Sequence, residues 1–96
     1  MTKARKIVAD AINAYMDATG WSQAEFTDAV GLNKALVSQY RSGKRGLSLR
    51  AAMMIENATT IAKTRGLTKI APLRVLDLLP ALAGEVGIAR TGTDNA

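Results

Sequence analysis

The sequence predicts an all-α fold, a compact bundle of about five helices. Apolar residues recur at the three- and four-residue spacing of a helix through most of the 96 residues. Serine and asparagine stand where the helices would begin, and glycine stands where they would end. Since a chain of this length buries one small core and little more, we expect a single compact unit.

The first helix is predicted over Lys3–Thr19 and ends at Gly20. Its apolar pairs recur every four residues and form one stripe; they are Ile7-Val8, Ala11-Ile12 and Tyr15-Met16. The bases at its start, Lys3, Arg5 and Lys6, are compatible with two interpretations, an extended arm and the solvated first turn of a helix.

The second and third helices are separated by a very short turn. Ser22 and Glu25 have the spacing of a capping box, which predicts a second helix over about 23–30. Asn33 is a good N-cap for the third helix, and only two residues separate it from the second. Because so short a turn forces two helices to cross steeply, the pattern predicts a helix-turn-helix.

The third helix is predicted to end near Ser42, where Gly43 and Gly46 bracket a loop. Ser48 begins a fourth helix that stops at Gly66.

The segment after Gly66 holds more apolar residues than one surface stripe needs, and Pro72 and Pro80 divide it. We expect one or two short helices there, with a strand over 74–79 as the alternative. The predicted organisation is a helix-turn-helix unit (1–66), a segment that caps the core or forms a dimer (67–90) and a disordered tail (91–96).

The composition argues against catalysis and metal binding. The chain has no cysteine and no histidine, so it lacks thiol nucleophiles, imidazole bases and the usual zinc ligands. We therefore expect no enzyme activity and no cofactor, and no small-molecule ligand is indicated. The start lacks the features of a signal peptide, and no stretch offers the roughly 20 apolar residues of a bilayer span. We expect a cytoplasmic protein with no membrane segment.

The net charge of +5 comes from one central stretch. Between Ala29 and Ile55 there is no acid, and there are five bases: Lys34, Arg41, Lys44, Arg45 and Arg50. Elsewhere eight bases match eight acids. One basic surface on a neutral scaffold is typical of polyanion binders, and a merely soluble cationic face is the alternative.

The third helix has an inward face at Val37 and Tyr40 when it is projected at about 100° per residue. Its outward face is short and polar, and its candidate contacts to DNA base edges are Lys34, Ala35, Ser38 and Gln39. The Gln39 amide suits adenine, the Lys34 ammonium suits guanine acceptors, and the Ala35 methyl suits thymine. The Ser38 hydroxyl suits either kind of edge. An ordinary solvated face, which usually mixes Glu and Lys, is the alternative.

Four segments and their spacing carry a family resemblance. They are Ser22-Gln23-Ala24-Glu25-Phe26, Ala29-Val30-Gly31-Leu32, Val37-Ser38-Gln39-Tyr40 and Ser42-Gly43-Lys44-Arg45-Gly46. Through them, about a third of the chain resembles the Cro/repressor-type (lambda-repressor-like) helix-turn-helix family of phage and bacterial regulators.

The resemblance implies contacts to phosphates. In that family the residue matching Gln23 touches a phosphate and supports the first recognition side chain, and the loop matching 43–46 lies along the DNA backbone. With two residues at the edge of the helix added, the predicted phosphate contacts are Gln23, Tyr40, Arg41, Ser42, Lys44 and Arg45. Thr27 stands where the family usually has alanine, so its hydroxyl must form a backbone hydrogen bond or widen the helix crossing.

The expected partner is double-stranded DNA, bound by a homodimer. A lone recognition helix touches few base pairs, and such domains normally contact two half-sites about 34 Å apart. The predicted interface residues are Leu73, Leu76, Leu79 and Leu82, and the alternative is that they only cap the core.

The expected function is that of a phage- or plasmid-type repressor that occupies a palindromic operator. An antitoxin or activator whose C-terminal segment binds a protein is the alternative. Residues 43–46 also have the form of the loop with which KH domains clamp single-stranded RNA, an interpretation that requires a β-sheet.

Overall fold

The computed structural model describes residues 2–82, which form five helices around one core. They are α1 (Lys3–Thr19), α2 (Gln23–Val30), α3 (Lys34–Ser42), α4 (Leu49–Thr64) and α5 (Val75–Leu78). The all-α prediction is confirmed. The alternative of a strand over 74–79 is wrong, because α5 occupies that stretch. The predicted tail, 91–96, lies outside the described residues, as does 83–90.

Side-chain caps fix where the first four helices begin. The caps are Thr2, Ser22, Asn33 and Ser48, each of which accepts a hydrogen bond from the backbone N–H three residues on, at 2.8–3.2 Å. Glu25 Oε1 in turn accepts from the Ser22 N–H at 2.9 Å, which completes the predicted capping box. Since each cap contributes about 1 kcal/mol, these four residues fix where the helices begin.

The turn between α2 and α3 depends on Gly31. Its φ of +74° lies in the left-handed region, where an L side chain is strained, and its N–H donates to the Thr27 carbonyl at 3.0 Å. Only residues 31–33 join α2 to α3. This is the connection that the predicted helix-turn-helix requires.

The core lies between α1, α2, α3 and α4, and α5 covers it on the side of α1 and α4. Its largest fully buried side chains are Phe26, Ile12, Ile55, Leu78, Val8, Val37 and Thr59. Tyr15 packs edge-on against Trp21 and Phe26, with ring centroids 5.7 and 6.1 Å apart. Each such apolar side chain contributes about 1.5–3 kcal/mol on burial, so these contacts carry most of the stability.

Residues 67–82 are attached to the core by packing and by two side-chain hydrogen bonds. Leu78 is only 1% exposed. The Leu73 N–H donates to Thr59 Oγ1 at 3.0 Å, and the Val75 N–H donates to Glu56 Oε1 at 2.7 Å. This part of the chain therefore caps the core.

The four leucines predicted for the dimer interface differ in exposure. Leu73 and Leu79 are half-buried and pack against the core, and Leu82 is also half-buried. Leu76 is 49% exposed. The core-capping alternative thus describes Leu73 and Leu79, whereas Leu76 offers an apolar surface to solvent. No helix among residues 2–82 combines the length and the apolar character needed to cross a membrane.

Candidate nucleic-acid interface

The third helix has one buried and one exposed face, as its projection predicts. Val37 is fully buried, and Tyr40 exposes 3% of its surface. On the opposite side Lys34, Ala35 and Ser38 are exposed. The three short or basic side chains predicted to touch base edges are therefore accessible from solvent.

Two predicted contact residues of α3 are less accessible. Gln39, predicted for base edges, is half-buried. Tyr40, predicted for a phosphate, shares the inward face of Val37, so nearly all of it belongs to the core. The structure gives the phosphate contact of Tyr40 no support.

Arg41 joins three helices. Its Nε donates to Asn13 Oδ1 in α1 at 2.7 Å, and its Nη1 donates to Gln23 Oε1 at the start of α2 at 2.9 Å. Asn13 Nδ2 donates back to the Arg41 carbonyl at 3.2 Å. In the structure the Arg41 guanidinium donates to α1 and α2 and holds α3 against them, and its phosphate contact stays a prediction.

The same bond orients the Gln23 amide. A guanidinium can only donate, so the atom of Gln23 that it meets is the carbonyl oxygen. The Nε2 group of Gln23 then remains available to donate. Because phosphate oxygens accept hydrogen bonds, this group can bind one. The phosphate contact of Gln23 stays a prediction, now with a definite atom.

The loop after α3 is hydrogen-bonded to α3 and to α1. Arg45 Nε donates to Gln39 Oε1 at 2.7 Å, and Arg5 Nη1 of α1 donates to the Lys44 carbonyl at 3.4 Å. The side chains of Lys44 and Arg45 are exposed. The loop thus presents two bases beside the exposed face of α3.

Ser42, also predicted to contact phosphate, uses its proton elsewhere. Its hydroxyl donates to the Gln39 carbonyl at 3.2 Å. A phosphate needs a donor, so contact would require this hydroxyl to rotate away from Gln39, and the phosphate contact of Ser42 stays a prediction.

The basic residues at the N-terminus belong to a helix. Lys3, Arg5 and Lys6 lie in the first turn of α1, and Lys6 pairs with Asp10 at 2.8 Å. The interpretation as a solvated helix start is confirmed, and that of an extended arm is wrong. Arg5 nevertheless adds a base at the edge of the loop.

Thr27 is buried and its Oγ1 has no hydrogen-bond partner. The backbone hydrogen bond expected for this hydroxyl is therefore absent from residues 2–82. The other alternative, a slight widening of the helix crossing, stays a prediction.

The exposed charge of the stretch 29–55, which includes α3, is of one sign. The stretch 29–55 contains no acid, and with Arg41 engaged its exposed bases are Lys34, Lys44, Arg45 and Arg50. Because no acid in this stretch offsets them, these bases present a positive surface to an anionic partner.

The sequence did not indicate the contacts of Asn13 and Arg5 in this arrangement. Asn13 has a recognisable signal, since asparagine is a weak helix former and here stands in the middle of a 17-residue helix. Such a position suggests a side-chain partner. Arg5 has no comparable signal, because its contact depends on how α1 packs beside the loop.

Comparison of the chain with models of protein families, with curated proteins and with solved structures found no match.

Proposed function

We propose that this chain is a sequence-specific DNA-binding protein that places α3 in the major groove. The observation that carries the proposal is the exposed face of α3, where Ala35 and Ser38 are small and uncharged and Lys34 stands at one end. Base edges are contacted by such short side chains, and the surrounding phosphates by bases. The buried Val37 and the Arg41 bonds would hold this face rigid during contact.

The exposed bases beside α3 supply the contacts to the DNA backbone in this proposal. Lys44 and Arg45 lie in the loop immediately after the helix, and both are exposed. Each phosphate that a base neutralises lowers the slope of log K against log salt by about 0.9. Binding is therefore expected to weaken steeply as salt rises.

A selection from a pool of random DNA duplexes tests this function. The wild type is expected to enrich a defined sequence, and Ser38→Glu is expected to abolish enrichment because it aims a carboxylate at the groove. Thr60→Glu makes the same change at an exposed position of α4 and should bind like the wild type. No enrichment by the wild type, or equal loss in both variants, would refute the proposal.

We further propose that the protein acts as a homodimeric repressor in the cytoplasm, one that blocks polymerase by occupying a palindromic operator. The exposed Leu76 supports self-association of the C-terminal segment. Two inverted half-sites about 34 Å apart in the selected DNA are the expected result. A single half-site would contradict the dimer. The alternative function, that of an antitoxin or activator, stays a prediction. A protein partner that binds residues 67–90 would support it.

A further inference from the structure

The hydrogen bond between Arg45 and Gln39 fixes the orientation of a side chain predicted to contact a base. Arg45 Nε donates to Gln39 Oε1 at 2.7 Å, a short, charge-assisted bond. Since arginine has no acceptor, the amide can meet it only through oxygen. The Nε2 group, with its two N–H bonds, is then the part of Gln39 left for another partner.

This orientation changes which base Gln39 can select. Paired hydrogen bonds to adenine require the amide oxygen to accept from N6 and the amide nitrogen to donate to N7. Here one of the two lone pairs of that oxygen accepts from Arg45, so an adenine N6 donor at the other lone pair would lie beside a positively charged donor. Guanine presents two adjacent acceptors, N7 and O6, and therefore requires donors only.

We propose that Gln39 and Arg45 act as one unit that selects guanine, with Gln39 donating through Nε2 and Arg45 through its Nη groups. The inference rests on the proposed function, since it names the base that the exposed face of α3 prefers. It departs from the expectations that Gln39 selects adenine and that Arg45 contacts a phosphate. Contact with adenine would place its N6 donor beside the Arg45 guanidinium, and this repulsion between donors is what disfavours adenine.

Lys44 provides a matched control for Arg45. Both are exposed bases of the same loop, but the Lys44 side chain makes no hydrogen bond to Gln39 within residues 2–82. Arg45→Met and Lys44→Met therefore remove the same charge, and only Arg45→Met releases the Gln39 oxygen.

The test is selection of bound duplexes with the wild type, Arg45→Met, Lys44→Met and Gln39→Ala. Gln39→Ala identifies the contacted position as the one whose preference disappears. The wild type and Lys44→Met should both prefer guanine there, with Lys44→Met weaker on every sequence. Arg45→Met should prefer adenine, and the guanine-to-adenine ratio should change by roughly five- to a hundredfold, the discrimination that one paired contact gives.

A preference for adenine in the wild type, or for guanine in a folded Arg45→Met protein, would overturn the proposal. Gln39→Glu tests it without changing Arg45: the carboxylate still accepts from Arg45 but offers no donor, so the preference for guanine should be lost. Retained guanine preference in Gln39→Glu would also overturn it. Failure of the wild type to enrich any duplex would instead refute DNA binding itself, so the two failures are distinguishable.

Discussion

Two buried threonines among residues 2–82 show how far a single hydroxyl depends on its surroundings. Thr59 Oγ1 donates to the Ile55 carbonyl at 2.8 Å and accepts from the Leu73 N–H at 3.0 Å. Within residues 2–82, Thr27 Oγ1 is buried without a partner. A buried hydroxyl left unpaired costs about 1–3 kcal/mol.

Replacement of each threonine by valine, which has nearly the same shape, should therefore change stability in opposite directions. Thr27→Val removes an unpaired hydroxyl and should raise the free energy of unfolding by about 1 kcal/mol. Thr59→Val leaves the Leu73 N–H without its acceptor and should lower it by about 1–3 kcal/mol. Urea denaturation measures both changes in the free energy of unfolding, provided that the m values of the variants equal that of the wild type. Equal destabilisation by the two changes would mean that Thr27 has a partner in solution.

Ionisation of Tyr15 should make the free energy of unfolding fall at alkaline pH. Burial raises the pKa of its phenol above the usual value of 10.0, so the folded state favours the neutral form. The stability that this preference contributes is fully present below the pKa of Tyr15 in the unfolded chain. It is lost as pH rises through the higher pKa of Tyr15 in the folded state. Because the hydroxyl is buried and has no partner in the described part of the chain, Tyr15→Phe should keep the stability at neutral pH.

Unfolding measured between about pH 8 and about pH 11 tests this contribution. The Phe variant should lose less stability than the wild type at the alkaline end. Identical pH profiles of the two proteins would show that Tyr15 does not ionise differently on unfolding.

At the scale of the helix, Arg41 bonds α3 to α1 and α2, and the exposed side of α3 is the one that should contact DNA. Arg41 bonds to α1 and α2, whereas Lys44 is exposed. Arg41→Met should therefore lower the free energy of unfolding by about 2 kcal/mol, because it removes hydrogen bonds from a charged donor. Lys44→Met should leave stability unchanged but reduce the salt slope of DNA binding by about one.

Denaturation and binding titrations at several salt concentrations separate these roles. A reduced salt slope in Arg41→Met with unchanged stability would place Arg41 on the DNA after all.

The helix starts and the short turn are predictable because their signals are local. Ser22 bonds to a residue three positions away, and Gly31 determines the turn through its own backbone. The Arg41 bonds join residues 18 and 28 positions apart, so their partners depend on how the helices pack. For the same reason the sequence did not indicate these contacts of Arg41.

The short helix α5 lies at the limit of prediction. Four residues are too few to form a stable helix by themselves, so tertiary contacts decide their conformation. The sequence consequently left helix and strand open there, and the burial of Leu78 favours the helix that the structure shows.

At the scale of the whole molecule, neighbouring leucines of the C-terminal segment should have separate roles. Leu78 is 1% exposed and Leu76 is 49% exposed. Leu78→Ala should lower the free energy of unfolding by about 2–5 kcal/mol, because it opens a cavity in the core. Leu76→Glu should keep the fold and shift sedimentation from dimer to monomer, because it places a charge on the proposed contact. An unchanged dimer in Leu76→Glu would move the interface elsewhere.

The attachment of residues 67–82 by Thr59 and Glu56 has a consequence for local opening. The Leu73 and Val75 N–H groups are held by side chains of α4, outside any regular helix ladder. Their exchange with deuterated solvent therefore requires only that this segment lift from α4, while α1 to α4 stay folded. The protection factors of these two amides would report the undocking equilibrium directly. If the segment also joins two subunits, that protection should increase with protein concentration.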